Sequence, residues 1–254
     1  PLARLRHKAK WLAYSQVLLD SLPVRKAADR VGVHRNTAFR WRHRFLHWVK
    51  LDRPTLLNGI VEAEGLADVC DTGNDRLRGV FFPPGTGGTA SYLDIRGVNQ
   101  GSGSVCQEGN GLEFSNIGGT SALSATANRV HVVGYQMVGI VFNGNLTVSA
   151  TSCSTVGGGW FNDANLVDQV GMQFAYGAHG TAKSNSVNGM WYPALGWSSY
   201  GQLTFETVGM TLASNDVSNA LAGIALEAWG SVAPVANGNT ISGNRITDSM
   251  WGIT

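Results

Sequence analysis

The sequence predicts an α plus all-β chain: a small helix-turn-helix segment at the N-terminal end, followed by a stacked β repeat. Three observations carry this. Helical periodicity is confined to the first quarter of the chain. The glycines are confined to the rest, with only Gly32 and Gly59 before residue 64 and the other 31 of 33 after it. Short asparagine-centred segments then recur at intervals close to thirty residues, the signature of a repeat architecture.

Charge divides at the same place. Residues 1–64 hold 13 Lys and Arg against 5 Asp and Glu, whereas the remainder holds 6 against 12, so the net +2 conceals a basic segment joined to an acidic one. That asymmetry points to a polyanionic partner for the first part. A hydrophobic content of 43% with 14% charged residues suits a globular chain. No apolar run reaches the roughly 18 to 20 residues of a membrane span. WLAYSQVLL after a basic start looks like a secretory leader, but Ser15 and Gln16 interrupt it and more basic helix follows. Cys70, Cys106 and Cys153 are odd in number and form no CxxC, so neither a zinc site nor a disulfide framework follows from them.

Taken in order, Trp11, Leu12, Val17, Leu18 and Leu19 recur along one helical face and define a first helix, with Asp20-Ser21 as its break. Pro23 suits the opening of a second helix, where its missing N–H costs nothing. That helix runs to about Arg30, and Gly32 permits a left-handed turn beyond it. A third helix starts near His34 or Arg35 and continues to about Leu46, with Ala38, Trp41 and Phe45 inward. Its other face carries Arg35, Asn36, Arg40 and Arg44. Arginine pairs bidentately with guanine, and asparagine with adenine, in the major groove. Arg25 and Lys26 would serve phosphates. The expected partner is double-stranded DNA, and a working DNA-binding segment implies a cytoplasmic location.

PLARLRHKAKWLAYSQVLLDSLPVRKAADRVGVHRNTAFRWRHRFL, with LNGIVEAE after it, resembles the region between zinc ribbon and catalytic domain in a family of bacterial insertion-sequence transposases. The resemblance covers about a quarter of the chain and implies binding to mobile-element ends. No cysteine precedes the helices, so the zinc ribbon is missing. In the family the strand like GIVEA leads into the first catalytic aspartate of a DDE triad; here Glu64-Gly65 follows and the match stops. The expectation is therefore a helix-turn-helix segment over residues 1–53, a truncated transposase strand and linker over 54–74, and no transposition activity, catalytic residue, cofactor or metal.

From residue 65 onward, Gly, Ser, Thr and Asn separate short runs of Val, Ile and Phe, which is β-structure with many turns. SNSVN, SNDVSN and GNRITD place Asn185, Asn215 and Asn244 in series, with Asn128 and Ser154 as weaker members. Glycine-hydrophobe pairs recur as Gly139-Ile140, Gly171-Met172, Gly223-Ile224 and Gly252-Ile253. Stacking such repeats would bury Val187, Val217 and Ile246 in one column and set the asparagines in a hydrogen-bonding ladder at the turns.

This pattern, with FFPPGTG and IRGVNQGSGSV near its start, resembles a right-handed parallel β-helix of the pectin-lyase-like kind over residues 75–254. Proteins of that fold often bind or cleave acidic polysaccharides. Asp163, Asp168, Asp216, Glu227, Asp248, His131 and His179 form no repeating pair, so each reads as a turn or surface residue. Trp191, Tyr192, Trp197 and Tyr200 are the candidate sugar-stacking residues, with cover of a coil edge as the commoner use of such rings. Trp251–Thr254 stops in a strand position without a capping segment, so the last coil is expected to be incomplete.

Overall fold

The computed structural model describes residues 8–19, 22–42, 56–64, 77–99, 108–158, 168–190, 199–228 and 238–254. Two compact units make up the chain, Pro1–Pro54 and Thr55–Thr254. The first holds α1 (Lys8–Leu19), α2 (Val24–Val31) and α3, which is helical over residues 35–42. Pro23 stands immediately before α2, as its missing N–H allows. Tyr14, Val17, Ala27, Ala28, Val31, Ala38 and Trp41 form the core. Tyr14 of α1 is fully buried, a position that the aliphatic pattern passes over.

The second unit opens with β1 (Leu56–Glu64). After it come β2 (Arg78–Phe82) and the long β3 (Gly88–Asn99). Trios follow: β4 (Asn110–Asn116), β5 (Leu123–Asn128) and β6 (His131–Val133); β7 (Val138–Gly144), β8 (Leu146–Thr151) and β9 (Ser154–Val156); β10 (Val170–Ala175), β11 (His179–Lys183) and β12 (Ser186–Asn188); β13 (Tyr200–Phe205), β14 (Met210–Ala213) and β15 (Asp216–Ser218); β16 (Ala222–Glu227), β17 (Thr240–Ser242) and β18 (Arg245–Thr247). β19 (Trp251–Ile253) is the last strand.

Among the described residues these strands form one sheet of 12 and one of 7, in which each member pairs with its counterpart in the neighbouring trio. The pairing is parallel throughout, as in Val138 to Val170 to Tyr200 to Ala222. Each trio is therefore a rung laid on the previous one. β3 serves two places, pairing with β5 through residues 88–91 and with β6 through 94–96. β1 pairs with β3 along both halves, Leu56 opposite Thr89 and Glu64 opposite Asn99, so this strand of the expected linker belongs to the second unit.

The larger sheet bends at one residue per rung. Tyr92, Arg129, Ser152, Ser184 and Ser214 have φ between 53 and 57°, and Gly243 has 61°. A single left-handed residue turns the chain without ending the pairing on either side. The next position in each rung is Leu93, Val130, Cys153, Asn185, Asn215 and Asn244. Asn128 and Ser154 are not members of that column: Asn128 lies opposite Thr151 and Ser154 opposite Ser186, on either side of the bend. In the three asparagine rungs the amide does the work of a backbone. Asn215 Oδ1 accepts from the Asn185 N–H at 3.0 Å, and Asn215 Nδ2 donates to the Ala182 carbonyl at 3.1 Å. Asn244 repeats this toward the Asn215 N–H and the Leu212 carbonyl. Each amide satisfies buried groups whose orphaning would cost about 1–3 kcal/mol apiece.

Inside, residues stack by type. Ile95, Val132, Thr155, Val187, Val217 and Ile246 form a β-branched column. Facing it is a glycine column, Gly79, Gly111, Gly139, Gly171, Gly201 and Gly223. A Cβ on any of these would strike the carbonyl oxygen of the next glycine and the facing β-branched side chain. Three residues along, Phe82, Phe114, Phe142 and Phe174 stack with centroid separations of 4.2, 5.2 and 5.5 Å. The same four rungs carry Ala90, Ala127, Ala150 and Ala182 in the adjoining sheet. Where phenylalanine gives way to Thr204 and Leu226, alanine gives way to Leu212 and Ile241.

Gly171→Ala places a Cβ 2.6 Å from the Gly201 oxygen and against Val187 Cγ1, and is expected to cost about 1–3 kcal/mol of urea-unfolding stability. Gly252→Ala, in the same column with nothing within 4 Å, is expected to stay within about 0.5 kcal/mol of the parent. Equal losses in the two variants would refute steric exclusion as the reason for the column.

Candidate nucleic-acid interface

The turn between α2 and α3 is built from backbone hydrogen bonds. Gly32 is left-handed, with φ 66° and ψ 49°, its N–H donates to the Asp29 carbonyl at 3.2 Å, and the Val33 N–H donates to the Ala28 carbonyl at 3.0 Å. These two bonds are a Schellman motif, which caps α2 and reverses the chain within two residues. Lys10 Nζ donates to the Gly32 carbonyl at 2.6 Å, tying α1 to the same turn. α3 then starts on His34, whose carbonyl accepts from the Ala38 N–H at 3.0 Å. His34 Nδ1 accepts from the Asn36 N–H at 3.3 Å, as a cap does.

Three aromatic residues fix the roll of α3. Trp41 lies 5.3 Å from Trp11 and meets Tyr14 edge-on at 5.6 Å. The Tyr14 hydroxyl donates to the Ala38 carbonyl at 2.7 Å; burial raises its pKa, against a smaller opposing effect of Arg42, which keeps the phenol a donor. Arg42 Nη2 donates to the Leu22 carbonyl at 3.1 Å, so this arginine is committed to the fold.

With Ala38 and Trp41 inward, Arg35, Asn36, Phe39 and Arg40 are left exposed on one stripe of α3. Arg25 and Lys26 are exposed at the start of α2. The structure thus groups Arg35, Asn36 and Arg40, as the spacing predicts; Arg44 lies outside the described residues. Phe39, 53% exposed in the middle of the stripe, is the residue of this surface that a search for polar side chains misses. Its position one residue from Arg40 and three from Asn36 was the available signal.

In the second unit, Trp191, Tyr192, Trp197 and Asp163 lie outside the described residues. Tyr200 is half-buried on β13 and packs against Val138, Val141, Val170, Leu203 and Ala225, a cluster separate from the main core. Its hydroxyl donates to Glu227 Oε1. Asp216 pairs with Arg245, His179 Nε2 lies 3.0 Å from Thr147 Oγ1, and Asp248 occupies a left-handed turn with φ 52°. Asp168 differs from these solvated groups. Burial, with the Glu227 charge second, pushes its pKa up to about 7, and its Oδ1 is buried with no hydrogen-bond partner among the described residues. Cys153 is buried beside the bend, and that burial pushes its thiol up to about 11, the environment of an unreactive cysteine.

A family model described as a homeodomain-like domain matches residues 2–47, the whole of the three-helix arrangement. No curated protein and no solved structure matches the chain.

The Asp168 environment has a pH consequence. Below about pH 4 the carboxyl is protonated in both folded and unfolded chains. From there to about 7 the unfolded chain has released a proton that the folded one keeps. The Asp168 contribution to the stability of the second unit therefore falls as pH rises through that window. Asp168→Asn is expected to flatten the fall, measured as urea midpoints across the window; an unaltered slope would show that this carboxyl does not set it.

Proposed function

We propose that this chain binds duplex DNA through α3, which lies in the major groove with Arg35, Asn36 and Arg40 toward base edges and Arg44 continuing the same face. Arg25 and Lys26 hold phosphates. The observation that carries the reading is the exposed Arg-Asn-Arg stripe on a helix whose roll is fixed by Trp41, Tyr14 and the Gly32 turn. Exposed charged and hydrogen-bonding side chains on one helix stripe are what base-edge readout requires. The homeodomain-like match over residues 2–47 supports DNA as the partner. The RNTAFRWRHRFL block supports descent from an insertion-sequence transposase.

We infer further that the second unit is a right-handed parallel β-helix of the pectin-lyase-like kind. Its support is the register, in which three strand positions recur rung after rung with parallel pairing alone. Binding is proposed to occur without strand cleavage. Two-metal phosphoryl transfer needs carboxylates holding both ions, and the GIVEA strand here runs through Glu62 and Glu64 in register with Arg96 and Asn99 of the parallel sheet.

Duplex binding by the full chain is expected to weaken with salt, the logarithmic slope rising by about 0.9 per phosphate contact. Replacing Arg35, Arg40 and Arg44 together by alanine is expected to weaken binding at least about tenfold, from the loss of arginine–guanine pairs. Undiminished binding by that triple variant would reject α3 as the reading helix. Incubating the bound duplex with Mg²⁺ is expected to give no nicked or joined strands; a product dependent on Glu62 or Glu64 would overturn the non-catalytic reading.

A further inference from the structure

Phe39 is a large aromatic side chain on the solvent-facing stripe of α3. Neighbouring Ala38 is fully buried and Trp41 is 9% exposed, yet Phe39 is 53% exposed between Asn36 and Arg40. Helix geometry places residues 35, 36, 39 and 40 on one stripe, since positions three and four apart are neighbours. The ring is not one of the buried residues that form the three-helix core, and more than half of its surface faces solvent. Opposite a major groove it meets one apolar group: thymine differs from the other bases there in presenting a 5-methyl, and phenylalanine is among the side chains that contact it.

We propose that Phe39 is a specificity-determining residue that reads a thymine methyl group, flanked by the purines that Asn36 and Arg40 read. This rests on the DNA-binding assignment of α3 and adds to it the chemical class of one base in the site. Arginine alone would favour guanine; the apolar ring sets a pyrimidine methyl within the same three or four base pairs. A second copy of the chain seated on Phe39 is the competing use of the ring.

The test uses a duplex enriched by the full chain from a randomised pool. Each thymine is then replaced in turn by deoxyuridine, which removes the methyl and nothing else. The expected result is a loss of about fourfold at one position, the value of burying a single methyl group. Phe39→Ala should bind the thymine duplex less tightly by a similar factor and show no further loss with deoxyuridine, with the salt slope unchanged. A parent protein indifferent to deoxyuridine at every position overturns the proposal even if Phe39→Ala is poorly folded. So does a Phe39→Ala protein that remains sensitive to it. Loss of a concentration-dependent dimer in Phe39→Ala, with thymine selectivity intact, would assign the ring to self-association instead. If the parent shows no salt-dependent duplex binding, the assignment of α3 itself has failed; binding that depends on Arg35 and Arg40 but ignores the methyl sinks the Phe39 proposal alone.

Discussion

Everything in the larger unit follows from the lack of room between a glycine and a β-branched side chain. Val187, Val217 and their column partners fill the space that a Cβ at Gly171 or Gly201 would need, and the next glycine's carbonyl closes it from the other side. Two sheets can approach this closely only if one presents bare backbone. Close approach then fixes the register, because moving a strand by one residue would drive a side chain into that gap and turn the core residues to the surface. The phenylalanine stack and the asparagine ladder are consequences of a register already set, and each adds its own increment by repeating an identical contact.

How much of this was legible in the residues depends on the kind of signal. The asparagine column was visible because its members stand 30 and 29 apart, and the column Val187, Val217 and Ile246 follows from it. Its earlier members were misplaced because the first rungs use Val130 and Cys153, which carry no amide to recognise. GVFF, GLEF, GIVF and GMQF, a glycine and a phenylalanine three apart in four successive rungs, were legible and stronger than the pairs Gly139-Ile140 and Gly171-Met172 taken alone. The bends were not legible: Tyr92, Arg129 and Ser184 are side chains without a preference for positive φ, and tertiary pairing on both flanks holds them there.

The helical unit shows the reverse case. Gly32, Ala28, Ala38 and Trp41 are local signals, and each occupies the place its chemistry suggests. What periodicity could not supply was the division of labour among similar residues. Arg42 and Lys10 are as basic as Arg40, but they hold carbonyls of the turns, whereas Arg35 and Arg40 are presented to solvent. Tyr14 is polar by composition and central by position, since its hydroxyl has a carbonyl to bind inside the core. Asp168 belongs with these: nothing in its neighbours along the chain marks it as the carboxyl whose pKa burial raises.

The exchange of large for small across the core divides the stack in two. Over four rungs phenylalanine is matched by alanine; beyond Ala182 the matched residues are Thr204 with Leu212 and Leu226 with Ile241. Copying or deleting one whole rung within the first block sets each residue beside the neighbour type it already has. The same event across the boundary sets a phenylalanine rung against a leucine one and leaves a mismatch of volume in a close-packed interior. The seam between Ala182 and Leu212 is thus a grain boundary in the packing: a rung inserted or removed within a block would meet matching neighbours, and one inserted or removed across the seam would not.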